Sequence, residues 1–163
     1  MSTRRWRWAF NDSTTRGHRR NRAYAAAIGR AVRRDGCKTV LDIGAGTGLL
    51  AMLAARAGAQ AVWAAECSAV MAALARECCA ANGCGGVSVL EGMSTDLSVG
   101  AAAAAAGGER GLCLPAKVDL VVSEILDAGL LGEQVLPTLR HAAAHLLRPG
   151  GRMIPAGATS HRP

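Results

Sequence analysis

Thr39-Val40-Leu41-Asp42-Ile43-Gly44-Ala45-Gly46-Thr47-Gly48-Leu49-Leu50 is the stretch whose reading decides the fold. A short apolar, β-branched run meets three glycines at alternate positions and passes into apolar helix formers, which reads as strand, tight loop and helix. Glycines suit a backbone that takes positive φ or approaches a ligand closely, and the helix start behind them offers unpaired N–H groups at a positive dipole end. A polar or carboxylate-bearing ligand is therefore expected here, although a glycine-rich turn with no ligand has the same residues. The order is Asp42-x-Gly44-x-Gly46-x-Gly48, not the G-x-G-x-x-G of dinucleotide loops.

Working outward, Glu66 follows Asp42 by 24 residues and ends the run Ala61-Val62-Trp63-Ala64-Ala65. An acid at the tip of a second strand is placed to accept both hydroxyls of a ribose. The Asp42 to Gly48 spacing resembles motif I of the S-adenosylmethionine-dependent methyltransferases. That resemblance implies S-adenosyl-L-methionine as cofactor, with Asp42, Gly44, Gly46, Gly48 and Glu66 as binding residues.

The remaining pattern alternates strands and helices. Helices are expected at roughly 21 to 34 (Tyr24, Ile28, Ala31 and Val32 on one face), Leu49 to Ala57, Ser68-capped to about Ala81, and about Glu133 to Leu147. Strands are expected at 61 to 66, Val87 to Leu90, Val118 to Ser123 and, after Pro149-Gly150-Gly151, Arg152 to Ile154. This order predicts an α/β fold: a Rossmann-like, doubly wound, mostly parallel sheet with its ligand outside the strand C-termini. Residues 1–18 read as an irregular Arg/Trp-rich segment, 19–163 as the binding domain, and 98–111, with its six alanines, as a low-complexity insertion.

The 163 residues suffice for one sizeable core, and with aromatics at 3% that core must be built from Ala, Leu and Val. No apolar run approaches the roughly 20 residues of a membrane span, so no membrane partner is expected. The net charge of +7 is uneven: residues 1–34 carry ten Arg against Asp12, and the rest is nearly neutral. Such an arm suits a nucleic-acid contact, a transit peptide or a solvated helix face; the last is preferred, and direct nucleic-acid binding is not expected. Six cysteines show neither C-x-x-C pairs nor matching His spacing, which argues against a metal and for reduced thiols in a cytoplasmic or nuclear protein.

The segment that names a reaction is Ser123-Glu124-Ile125-Leu126-Asp127-Ala128-Gly129-Leu130-Leu131-Gly132-Glu133. Two carboxylates nine residues apart, bracketing an apolar hairpin, can converge on one cation. The segment resembles the double-glutamate loop of the protein arginine N-methyltransferases. Arg20-Asn21-Arg22-Ala23-Tyr24 is similar to that family's first cofactor helix, Glu66-Cys67-Ser68 to its ribose segment, and Ser94-Thr95-Asp96 to its adenine-edge segment. The resemblance implies Glu124 and Glu133 as the catalytic pair and Asp127 as a substrate contact. It assigns Arg20 to the methionyl carboxylate, and Ser94 with Thr95 to the adenine.

By Asn11-Asp12, Ser94-Thr95 and Asp127 the sequence is nearest the monomethylating, type III branch. Histones or RNA-binding proteins would be the arginine-containing substrates. Two departures accompany the match. Eight residues separate Asp12 from Arg20 where the family has about three, and the sequence ends at Pro163 where family members continue into a β-barrel with a His-Trp loop and a dimerisation arm. A second module or dimer is thus expected only in a full-length form. A catalytically inactive cofactor-binding regulator and a basic nucleic-acid-binding protein are the competing readings. Cofactor binding without methyl transfer would favour the first, and salt-dependent binding to unrelated oligonucleotides the second.

Overall fold

The computed structural model describes residues 15–100, 112–126 and 131–158. Most of the Arg/Trp-rich segment 1–18, with Asn11 and Asp12, as well as Asp127 and most of the 98–111 insertion, lie outside them.

Five strands form one parallel sheet in the order β3-β2-β1-β6-β7, with β1 Thr39–Ile43, β2 Ala61–Glu66, β3 Val87–Glu91, β6 Val118–Ser123 and β7 Leu147–Ile154. A two-residue pair, β4 Ser98–Val99 with β5 Cys113–Leu114, lies apart. Because the chain steps outward from β1 to β3 and then returns to β6 on the other side of β1, the sheet reverses its winding between β1 and β6. The gap above their C-termini is where such sheets bind ligands.

β1 shows why this sheet is buried on both faces. Val40 packs with Ile28, Val32, Leu50, Met52 and Leu120 on the face covered by helices α1 (Thr15–Arg33), α2 (Leu49–Ala57) and α3 (Ala69–Ala81). Leu41 and Ile43 point the other way, to Val121, Leu114 and Leu146. Each fully buried side chain of this size contributes roughly 1.5–3 kcal/mol, so a core with almost no aromatics closes on many Val and Leu residues.

Helix ends follow local chemistry. Ser68 caps α3 by accepting from the Met71 N–H at 3.4 Å, and at the other end Gly83 N donates to Ala80 O and Cys84 N to Cys79 O. That double closure satisfies the last carbonyls of the helix.

Three elements differ from the sequence reading. Helix α1 begins at Thr15, so the expected boundary after residue 18 falls inside it; Thr-Arg-Gly-His carries no apolar periodicity to announce a helix. The helix expected from Glu133 to Leu147 is shorter: α4 spans Val135–His141, widens into a π-type turn over Ala142–Leu146, and β7 begins at Leu147. Pro149-Gly150-Gly151, expected as a helix stop, lies instead inside β7. The register against β6 jumps from Val118↔Leu147 to Leu120↔Arg152, so these residues form a bulge.

Asp119 on β6 ties the sheet's lower edge together. Its Oδ2 accepts from the N–H groups of Lys38 and Thr39 at 2.8 and 2.9 Å, and its Oδ1 from Arg148 Nε. Among the described residues no helix is long and apolar enough to cross a membrane, and no cluster of His, Cys, Asp or Glu is arranged to hold a metal.

Candidate active site

The glycine loop sits at the reversal of the sheet. Gly44 N and Ala45 N donate to Ala65 O at 3.0 and 3.1 Å, so the loop turns from the end of β1 over the end of β2. Gly44 has φ +70°, and a Cβ there would lie 2.4 Å from Ile125 Cγ2. Gly48, with φ +80°, stands at the start of α2, where a Cβ would lie 3.1 Å from Cys79 Sγ. Gly46, in contrast, has no atom nearer its Cβ position than Met71 Cε at 4.0 Å. The loop is thus packed hard at its two ends and open at its centre.

Glu66 braces that open centre. Its Oε2 accepts from Gly46 N at 2.8 Å and its Oε1 from Ser68 N at 2.9 Å. Cys67 Sγ also donates to Oε1, at 3.7 Å; a carboxylate has about four acceptor positions, so one remains for a hydroxyl donor in the cavity that Glu66 lines.

Asp42 lies one layer below and is fully buried. Its Oδ2 accepts from Ala51 N at 2.9 Å, one of the first N–H groups of α2, which have no partner within the helix. Its Oδ1 has no hydrogen-bond partner. Burial pushes its carboxyl up to about 7, against the pull of the Ala51 N–H, with Glu66 adding to the rise. Asp42 therefore holds loop to helix from beneath and does not line the cavity.

The cavity, of about 380 Å³, is lined by Gly44, Glu66, Cys67, Met93 and Ser94 on one side and by Glu124, Ile125, Glu133, Gln134 and Thr138 on the other. The two acids of the double-glutamate segment thus meet the glycine loop in one space. Ser94 is buried in a short 3₁₀ turn, Ser94–Asp96, and lines the cavity, whereas Thr95 shares the turn without lining it. Asp127 lies outside the described residues.

Arg20 faces a neighbouring groove of about 860 Å³ between α1 and β7. Its Nη1 is 3.2 Å from Glu124 Oε2, so the side chain expected to take a cofactor carboxylate instead pairs with a proposed catalytic acid. Opposite charges at this range attract.

Sequence reasoning missed Tyr24 and Gln134 as site residues. Tyr24, one helical turn after Arg20, donates its hydroxyl to Ser123 O at 2.7 Å. The signal was the i, i+4 spacing of Arg20 and Tyr24, which puts both on one helix face. Gln134 adopts φ +56° immediately after Glu133, a conformation no residue pattern announced.

Comparison with known proteins agrees with this geometry. A family profile described as a methyltransferase domain matches residues 40–151. An arginine N(omega)-methyltransferase of Streptomyces achromogenes subsp. streptozoticus is 41% identical over 157 residues, which cover 96% of this chain and 39% of that protein. Protein arginine N-methyltransferase 9 of Xenopus laevis is 42% identical over 144 residues, covering 88% of this chain and 16% of that one.

Among solved structures, a Trypanosoma brucei PRMT1 enzyme–prozyme heterotetrameric complex with AdoHcy superposes with a TM-score of 0.66 at 33% identity, over 82% of this chain and 38% of that chain. Arabidopsis thaliana protein arginine methyltransferase 10 gives the same score and identity over 85% of this chain and 38% of its own. The chain spans about two fifths or less of the length of these relatives. It belongs to the methyltransferase domain family.

Proposed function

We propose that the chain binds S-adenosyl-L-methionine under the glycine loop and serves methyl transfer to a guanidine nitrogen of arginine in a protein. The observation that carries this reading is the shared cavity: Glu124 and Glu133 line the same space as Gly44, Glu66 and Ser94. Three features fit the cofactor. The Gly46 face is open, Glu66 keeps acceptor capacity toward the cavity, and Ser94 lines the same space. When bound, the cofactor supplies an electrophilic methyl group on a sulfonium.

The chain's own residues supply binding and orientation. Glu66 accepts from a ribose hydroxyl, Ser94 borders the base, with Thr95 behind it, and Arg20 serves the methionyl carboxylate. Glu124 and Glu133 accept N–H bonds from an arginine that remains protonated at neutral pH, and hold one nitrogen toward the methyl group. Orientation of reacting groups contributes on the order of 7–11 kcal/mol, against roughly 4 kcal/mol for one close ion pair at an effective dielectric of 20. Aim therefore matters more than attraction in this site.

Asp127 as a further substrate contact, the type III branch and a dimer or second module in a longer form belong to the same proposal. A cytoplasmic or nuclear location goes with it, supported by six free thiols. One relative's name specifies arginine and the other's protein arginine, so the assay offers both substrates. Chain incubated with methyl-labelled cofactor should label an arginine-rich peptide, and Glu124→Gln and Glu133→Gln should each remove the label. Label on free arginine alone would replace the protein substrate, and label retained by both variants would remove the glutamate pair from the reaction.

A further inference from the structure

Arg20 and Glu124 present a partner problem. The proposed cofactor places a carboxylate against Arg20 and the proposed substrate places a guanidinium against Glu124, yet here the two side chains are paired with each other at 3.2 Å. The Arg20 guanidinium is chemically the same group as the one Glu124 would receive from a substrate. Both side chains remain accessible, at 50% and 32% exposure, so a change of partner carries little desolvation cost.

The surroundings confine that change to side chains. One turn along α1, the Tyr24 hydroxyl holds the carbonyl of Ser123, the residue before Glu124. Ser123 is itself buried at the end of β6, paired in register with Ile43 of the parallel strand β1. The backbone beneath Glu124 is thus fixed from two directions while its carboxylate stays free to rotate. Among the described residues, Asn21 Oδ1 also reaches Arg20, 3.4 Å from Nε, a neutral acceptor that does not hold the charge.

We propose that Arg20 is an exchangeable placeholder for the substrate guanidinium. Paired as here, it neutralises Glu124; when the cofactor carboxylate arrives, Arg20 turns to it, and Glu124 is bared for arginine. Cofactor and substrate then bind with positive coupling through one side chain. By linkage, the factor by which cofactor improves substrate binding equals the factor by which substrate improves cofactor binding. This inference rests on the cofactor and substrate reading above.

Calorimetric titration with S-adenosyl-L-homocysteine tests it without requiring turnover. In the wild-type chain part of the binding energy is spent on breaking the Arg20–Glu124 pair. Glu124→Gln removes that competition and should tighten the probe about two- to fivefold, the range of a partly exposed ion pair. Arg20→Ala should weaken the probe, and adding Glu124→Gln to Arg20→Ala should then change nothing. In wild type, saturation with the probe should raise the affinity for an arginine-rich peptide, and in Arg20→Ala it should not.

The exchange is overturned if Glu124→Gln leaves probe affinity unchanged or lowers it. It is equally overturned if the tightening persists in the Arg20→Ala background, because Glu124 would then repel the probe directly. A wild-type chain that does not bind the probe at all would overturn the cofactor reading itself. Thermal melts matching wild type show that each variant is folded, as expected for two side chains this exposed.

Discussion

The Tyr24 hydroxyl lies 2.7 Å from the carbonyl oxygen of Ser123, joining the first helix to the last residue of β6 across 99 positions of sequence. Burial, reinforced by the Glu124 carboxylate, pushes that hydroxyl up to about 12, so it stays a proton donor throughout the physiological range. Since Glu124 follows Ser123 directly, this bond sets where the carboxylate starts from.

Tyr24→Phe removes the donor and keeps the ring. The expected loss of stability is about 0.5–1.5 kcal/mol, the net worth of one such bond, read from the urea midpoint. Turnover should fall more than substrate affinity, because a displacement of about 1 Å costs on the order of 10²-fold in rate. A rise in KM with kcat unchanged would show that Tyr24 does not aim Glu124.

Two buried or half-buried acids set opposing pH dependences. Asp119 is pushed up by burial, but bonds from Thr39, Lys38 and Arg148 outweigh this and bring it down to about 2. Its contribution is complete above its unfolded value, near 3.8, and is lost as pH falls through 2. Asp42 is raised from 3.8 to about 7, so between these values the folded chain binds a proton that the unfolded chain does not. Stability should therefore fall as pH rises from about 4 to 7 and level off above. Urea midpoints for wild type and Asp42→Asn across this range check the second effect: the variant should lose the downward slope, and a slope kept by the variant would assign it elsewhere.

Much of this was legible in the sequence wherever one signal ruled a segment. The Asp42 to Gly48 spacing, the Gly58 stop after α2 and the Ser68 cap of α3 are local, and the structure has α2 at Leu49–Ala57 and α3 at Ala69–Ala81 as expected. Segments where two signals compete were not legible. Ala142-Ala143-Ala144-His145-Leu146-Leu147 suits both helix and strand, so the helix was carried too far and the start of β7 was missed. The pair β4–β5 is two residues deep and leaves no period to detect. At the site, Arg20 and Glu124 were each singled out, but their contact crosses 104 positions, a separation that no local pattern spans.

Glu66→Ala strips the acceptor from Gly46 N and Ser68 N together. Losing a charged partner costs about 1–3 kcal/mol per unsatisfied group. Glu66 itself lines the cavity beside Gly44 of the same loop, so the loss should appear mainly in cofactor affinity. Calorimetry with S-adenosyl-L-homocysteine should show at least tenfold weakening, since about 1.4 kcal/mol is a factor of ten. Wild-type affinity in the variant would remove Glu66 from the binding site.

Gly44→Ala tests the packing between the glycine loop and the segment that carries Glu124. The new methyl group would stand 2.4 Å from Ile125 Cγ2, and φ +70° already strains any residue with a side chain. Ile125 is 9% exposed and borders the cavity beside Glu124, so it has little room to retreat except along the β6 loop. The backbone strain alone is roughly 1–2 kcal/mol, and overpacking adds about 1–3 kcal/mol. If the loop and Glu124 are mechanically joined through Ile125, the double variant Gly44→Ala/Ile125→Ala, which removes the clashing Cγ2, should lose less stability than the sum of its two single variants. Additive losses would show that the backbone conformation, and not the Ile125 contact, is what excludes a side chain at position 44.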